Sequence, residues 1–143
     1  MCSTHSTSRV VSGPVLIVDA SSLYEVVADT ARADDVRERL ALDRDHAAPS
    51  VIDVEVLSVI RRDHFAGRLD STAASQAVQD LSAWPGERFA HRPLLDRVWE
   101  LRRTVRTWDA FYVALAEVMR ATLITSDGRL ARAPGPRCPI EVV

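Results

Sequence analysis

The feature that most constrains the fold is an alternation of short apolar runs with longer stretches of helical periodicity. The run VLIV at residues 15–18 precedes a helical stretch, and the run TLIT at residues 122–125 follows another. Strands that alternate with helices in this way pair in parallel and are joined by right-handed crossovers. The sequence therefore predicts an α/β fold, a three-layer α/β/α domain with a short-stranded, mostly parallel sheet.

The predicted elements extend over almost the whole chain. Strands are predicted at residues 15–18, 47–49, 88–90, 121–125 and 139–143. Helices are predicted at about residues 21–30, 32–42, 50–64, 71–83, 93–103 and 108–119. The third helix starts with capping-box spacing, Ser50-Val-Ile-Asp53. No linker or repeat divides the chain, so we expect one domain over residues 14–143, preceded by a disordered polar tail at residues 1–13.

Composition excludes several classes of function. All 18 basic residues are arginine, so the lysine that a P-loop or a Schiff-base enzyme requires is missing. Cys2 and Cys138 are far apart and form no CxxC motif, which argues against a zinc site. No apolar segment is long enough to span a bilayer or resembles a signal peptide, so we expect a cytoplasmic protein without membrane contacts.

Four acidic residues stand at predicted strand ends or helix starts. Asp19 follows the first strand and Asp127 follows TLIT, while Glu55 and Asp109 lie in the first turns of two helices. Each has an ordinary structural explanation: Asp19 as a helix cap, Asp127-Gly128 as a turn, Glu55 and Asp109 as partners of a helix dipole. Because the carboxyl ends of parallel strands meet at one edge of a sheet, the four together predict an acidic cluster there.

Such a cluster needs a counter-charge. Two carboxylates in contact repel by about 4 kcal/mol at an effective dielectric constant near 20, so either some are protonated or a cation lies between them. Glu55 is the hardest to explain structurally, because it lies inside the nearly continuous apolar stretch VIDVEVLSVI. A set of oxygen ligands without cysteine or histidine favours Mg²⁺ or Mn²⁺ over zinc.

Around these acids the chain resembles the PIN-domain ribonucleases, in particular the VapC toxins of type II toxin–antitoxin systems. The resemblance rests on four blocks in the family's order: VLIVDASSLYEVV, APSVIDVEVLSVIRR, TWDAFYVALAE and TLITSDGRLARAPGPRCPIEVV. It runs from about residue 15 to the C-terminus. The third block is the most specific, although Trp108 stands where the family commonly has Tyr.

The resemblance implies a Mg²⁺- or Mn²⁺-dependent endoribonuclease. Asp19 and Asp109 would be the principal metal ligands, and Glu55 and Asp127 would complete the acidic pocket. It further implies a tRNA or rRNA substrate, a VapB-like antitoxin that neutralises the toxin, and a homodimer.

Other residues are candidates for supporting roles. Ser21 and Ser126 would hold the acids by hydrogen bonds. Candidates for contacts to RNA phosphates are Arg61, Arg62, Arg102, Arg103 and Arg106. These arginines could equally be solvated side chains on helix faces or partners of a helix C-terminus.

Two alternatives remain open from the sequence. One is a nuclease of the same fold that acts in RNA processing or on DNA, and the other is an inert PIN-like module that binds without cutting. The presence of all four acids disfavours the inert module. A phosphatase of the Asp-x-Asp type is disfavoured because residue 21 is Ser rather than Asp.

Overall fold

A computed structural model describes residues 15–143, which form a five-stranded sheet between helices. The strands are β1 (Val15–Val18), β2 (Asp45–Pro49), β3 (Glu87–Phe89), β4 (Thr122–Thr125) and β5 (Ile140–Val142). Their order is β3-β2-β1-β4-β5, and all four pairings are parallel. The predicted α/β fold is therefore confirmed. The predicted tail at residues 1–13 lies outside the described residues.

In the described part of the chain, seven α-helices connect the strands. They are α1 (Ala20–Val27), α2 (Ala33–Leu40), α3 (Ile52–Phe65), α4 (Ser71–Ala83), α5 (Leu95–Glu100), α6 (Thr107–Met119) and α7 (Gly128–Arg132). A short 3₁₀ helix, Arg92–Leu94, precedes α5. Helix α7 stands where the sequence predicted only a turn. Asp127 caps it by accepting a hydrogen bond from the Arg129 amide, and Leu130 is its buried contact to the core.

The capping box predicted at Ser50 is wrong. Helix α3 begins at Ile52, and its N-terminal cap position is Val51, which has no capping side chain. Ser50 instead extends the pairing of β2 with β3, since its amide donates to the Phe89 carbonyl at 2.7 Å. The carboxylate of Asp53 accepts from the Arg88 guanidinium at 3.0 Å rather than closing a cap. Pairing with β3, which is distant in sequence, determines the conformation at Ser50.

The core holds the carboxyl edge of the sheet in place. Central strand β1 is buried at Leu16, Ile17 and Val18, and helix α6 packs against β1, β2 and β4 with every residue from Ala110 to Ala116 buried. Helices α1, α2, α3 and α4 pack on one another, with α1 at the centre of this group. Burial of apolar surface on this scale fixes the positions of β1, which Asp19 directly follows, and of α3 and α6, which carry Glu55 and Asp109.

Within residues 15–143, no helix has the length and apolar character needed to traverse a bilayer.

Candidate active site

Asp19 lies directly after β1, next to the end of β4. Its amide continues the β1–β4 ladder by donating to the Ile124 carbonyl at 3.1 Å. Its carboxylate is 4% exposed and accepts three hydrogen bonds: from the Ser22 amide at 2.9 Å, from the Ser21 hydroxyl at 2.7 Å and from the Thr125 hydroxyl at 2.6 Å. Asp19 is thus the N-cap of α1, which is the ordinary structural role considered for it above. It also lines the cleft described below.

Burial dominates the electrostatics of Asp19. Removal from water raises the pKa of its carboxyl group, and the hydrogen bonds from Thr125, Ser22 and Ser21 act in the opposite direction. A buried carboxylate is costly unless it is well bonded or faces a cation. The three donors hold the carboxylate in one orientation before any ligand arrives.

Glu55 reaches the same place from α3. Its Oε1 atom accepts a hydrogen bond from the Tyr112 hydroxyl at 2.9 Å, which links α3 to α6. Burial, followed by the negative charges of Asp109 and Asp19, raises the pKa of Glu55 to about 7, although the hydrogen bond from Tyr112 opposes this. Glu55, the acid that lies inside an apolar stretch of the sequence, therefore loses its proton less readily than an ordinary glutamic acid.

Asp109 and Asp127 lie on either side of an arginine. The Arg106 guanidinium is 3.0 Å from the Asp109 carboxylate and 3.9 Å from that of Asp127. A hydrogen bond from the Arg129 amide, followed by contact with its guanidinium, holds the pKa of Asp127 below its usual range. The Arg106 side chain is 71% exposed, so it can move away without breaking the core.

All four carboxylates line one cleft of about 380 Å³, which we call the acidic cleft. Its wall also includes Tyr24, Glu25 and Arg62. Five acidic side chains and two arginines therefore share one cavity, and the structure brings together the four acids that are separated in sequence.

The two predicted supporting serines behave differently. Ser21 bonds Asp19 through its hydroxyl and lies 3.5 Å from the Thr125 hydroxyl. Ser126 takes part through its backbone, since its amide donates to the Ser21 hydroxyl at 3.1 Å. The hydroxyl that bonds Asp19 from β4 belongs to Thr125, the preceding residue.

Only two of the five candidate arginines line the acidic cleft, namely Arg62 and Arg106. Arg61 lies 4.9 Å from the centre of the Phe65 ring, and Arg102 lies 4.6 Å from a ring centre of the exposed Trp99. Arg103 is exposed and does not line this cleft.

Sequence reasoning missed four residues of the site, namely Tyr24, Glu25, Tyr112 and Thr125. Tyr112 follows Asp109 by three residues on α6, a spacing that places both on one helix face and could have indicated it. Thr125 is the last residue of β4 and stands two residues before the predicted acid Asp127, which is also a readable signal. Tyr24 lines the cleft from α1 and has no comparable local signal.

The donor chemistry of the acidic cleft suits a hard divalent cation, because every acidic ligand offers oxygen. In the present positions of residues 15–143, no three His, Cys, Asp or Glu side chains are grouped closely enough to hold an ion. Arg106 lies between Asp109 and Asp127, where it compensates part of their charge. A metal would therefore have to compete with this arginine.

Comparisons with known proteins extend over nearly the whole chain. The PIN domain family matches residues 16–136. Ribonuclease VapC3 of Mycobacterium tuberculosis is 41% identical over 119 residues, covering 82% of this chain and 86% of the relative. Ribonuclease VapC1 of the same organism is 34% identical over 128 residues, covering 89% and 96%.

Two solved structures share the fold. Mycobacterium tuberculosis VapC20, described as a sarcin-ricin loop cleaving toxin, gives a TM-score of 0.62 at 19% identity, covering 82% of this chain and 93% of that one. A chain of Rickettsia felis VapBC2, crystallised with a DNA fragment from its promoter, gives a TM-score of 0.62 at 17% identity, covering 90% and 98%. At such identities the likeness concerns the fold.

Proposed function

This chain belongs to the PIN-domain family, and from that premise we propose that it is a Mg²⁺- or Mn²⁺-dependent endoribonuclease, the toxin of a VapBC toxin–antitoxin pair. The relatives that match most of the chain are named ribonucleases. The single observation that carries the proposal is the convergence of Asp19, Glu55, Asp109 and Asp127 on one cleft.

The four acids would hold the cation, with Asp19 and Asp109 as principal ligands and Glu55 and Asp127 completing the site. The fit rests on their chemistry: all offer oxygen, and burial raises the pKa of both Asp19 and Glu55, so that a nearby positive charge would favour their ionised forms. A divalent ion held there would lower the pKa of a bound water molecule and would neutralise charge on the phosphate and the leaving oxygen.

The chain's own side chains have separate tasks in this proposal. Ser21 and Thr125 hold the Asp19 carboxylate in a fixed orientation, and Tyr112 does the same for Glu55. Arg106 compensates the charge of Asp109 in the free protein, and its exposed side chain can turn toward a phosphate of the substrate when a cation replaces it.

We further propose the substrate and partners. RNA, with tRNA or rRNA as the expected class, would bind along the acidic cleft and meet Arg62 and Arg106. A VapB-like antitoxin would cover an apolar groove of about 440 Å³ between α3 and α4, where Leu57, Phe65 and Val78 are exposed. The protein is expected to act as a homodimer, and an RNA substrate implies that it acts in the cytoplasm.

The test is cleavage of total RNA by the purified protein with Mn²⁺ or Mg²⁺, with single-stranded DNA as a comparison substrate. We expect RNA cleavage that EDTA abolishes. Asp19→Ala and Asp109→Ala should each lose activity while their circular dichroism remains that of the wild type. Asp34→Ala, at an exposed acid on α2, is the matched control and should retain activity. Undiminished cleavage in EDTA, or by the Asp19→Ala/Asp109→Ala double variant, would refute the proposal.

A further inference from the structure

A hydrogen-bonded cluster with a buried carboxylate at its centre lies beside one wall of the acidic cleft, where α1 packs against α3. Its centre is the carboxylate of Asp63 on α3, a residue that is only 7% exposed. Asp63 accepts hydrogen bonds from the Tyr24 hydroxyl, from Arg62 Nε at 3.2 Å and from Arg68 Nη1 at 3.0 Å. Two of its partners, Tyr24 and Arg62, line the cleft, whereas Asp63 does not.

The cluster leaves Arg62 with positive charge that no cleft acid neutralises. Asp63 carries one negative charge and binds two arginines, so the three side chains together carry a net positive charge. Arg106, the other arginine of the cleft, is instead paired with Asp109 inside it. A polyanion that enters a cavity lined by five acidic side chains needs a cation that is still available, and Arg62 supplies one.

The geometry of Arg62 suits a phosphate. Its Nε atom is bonded to Asp63, which orients the planar guanidinium, and within residues 15–143 its two Nη groups have no hydrogen-bond acceptor. The side chain is 67% exposed. A guanidinium with two free parallel donors matches phosphate oxygens.

The position of Arg62 indicates which phosphate it would meet. It lies seven residues after Glu55 on the same helix, which is about 10 Å along the axis. Arg62 is therefore attached to α3 about two helical turns beyond the proposed metal ligand Glu55. Such an offset favours contact with a phosphate that flanks the scissile one.

We propose that Arg62 binds a backbone phosphate flanking the cleavage site, and that Asp63 is the positioning residue that holds Arg62 for this contact. Tyr24 supports the same arrangement, because its hydroxyl donates a hydrogen bond to the Asp63 carboxylate. The single hydroxyl proton is then used in this bond and cannot be donated to the substrate. The inference rests on the proposed function, since it takes RNA as the ligand, and it deepens that function by assigning a phosphate subsite.

The test is binding of a fluorescein-labelled, short single-stranded RNA of mixed sequence, followed by anisotropy in EDTA at several KCl concentrations. Arg62→Ala should weaken binding roughly tenfold at low salt, as expected for one charge-assisted hydrogen bond. It should also reduce the slope of log Kd against log salt by about 0.7, which is the value for one phosphate contact to a single strand. Arg44→Ala is the matched control: it removes the same charge just before β2, at the opposite edge of the sheet, and should keep the wild-type slope.

Asp63→Asn separates positioning from simple charge. Removal of a negative charge should tighten RNA binding if only net charge matters, whereas loss of the anchor for Arg62 should weaken it. We expect binding several-fold weaker than wild type. If thermal melting shows that Asp63→Asn is unfolded, Tyr24→Phe removes one hydrogen bond to Asp63 and should weaken binding in the same direction.

The outcomes decide separately between this inference and the proposed function. A wild-type salt slope in Arg62→Ala overturns the phosphate contact. Binding by folded Asp63→Asn that equals or exceeds the wild type overturns the positioning role, and so does unchanged binding by Tyr24→Phe if that variant has to replace it. Failure of the wild-type protein to cleave total RNA with Mn²⁺ contradicts the proposed function, while the salt slopes still decide the phosphate contact.

Discussion

Burial of Glu55, opposed by its hydrogen bond from Tyr112, should make the stability of the metal-free protein depend on pH in a defined way. Glu55 has a pKa of about 7 in the folded protein, against an ordinary value of 4.5. Between these values the folded state binds more protons than the unfolded state, so the free energy of unfolding falls as pH rises from about 4.5 to 7. Tyr112→Phe should extend this fall to higher pH, because the lost donor stabilises the ionised form.

The magnitude follows from the kind of hydrogen bond. A bond to a charged acceptor contributes about 1.5–3 kcal/mol and a bond between neutral groups about 0.5–1.5 kcal/mol, so the ionised form gains roughly 1–1.5 kcal/mol more. Glu55 is only partly buried, and solvent screening reduces this to about 1 kcal/mol. The pKa of Glu55 should therefore rise further in the variant, above its wild-type value of about 7.

The assay is urea denaturation in EDTA at pH 5, 7 and 9. The difference in unfolding free energy between wild type and Tyr112→Phe should grow by about 1 kcal/mol between pH 5 and pH 9, with most of the growth above pH 7. Tyr24→Phe is the control. The Tyr24 hydroxyl bonds Asp63, whose pKa is lowered, so Asp63 stays ionised from pH 5 to pH 9 and the loss of unfolding free energy in Tyr24→Phe should be constant over this range. A difference for Tyr112→Phe that is constant from pH 5 to pH 9, or that shrinks, would refute the reasoning.

Three further predictions concern stability and metal binding. Asp19→Asn should raise the melting temperature at pH 8 by about 2–4 °C while abolishing cleavage, because it removes a buried charge; a lower melting temperature would contradict this. Gly86→Ala should lower the free energy of unfolding by about 1–3 kcal/mol, since its Cβ would collide with the Trp84 ring; an unchanged urea midpoint would show that the ring moves freely. Arg106→Gln should tighten Mn²⁺ binding by up to about fivefold in calorimetry, because it removes the cation beside Asp109, and weaker binding would argue against competition.

The fold and the convergence of the acids could be predicted because their signals are local. β-Branched runs locate β1 and β4, and an acid directly after each run must lie at the carboxyl edge of a parallel sheet. Glu55 was recognisable because a charge inside an apolar stretch is costly. The four blocks of resemblance then added the family, which the comparisons confirm.

The features that the sequence did not predict depend mainly on contacts between segments that are distant in sequence. Ser50 has the local pattern of a capping box, but its amide pairs with a strand that lies some forty residues later. Asp63 looks like an ordinary polar residue near a helix end, and only the packing of α1 on α3 buries it against Tyr24. Helix α7 is too short to show a periodic pattern, and Leu130 is its only buried residue.

The attachment of Asp19 to the sheet has a consequence for the dynamics of the site. Its amide hydrogen is bonded to the Ile124 carbonyl between the two central strands, so deuterium can replace it only when β1 and β4 separate. Protection of this amide should therefore approach that of the global core. The rim of the cleft that carries Asp19 should therefore exchange only when the sheet itself opens, and it serves as a fixed frame for whatever binds there.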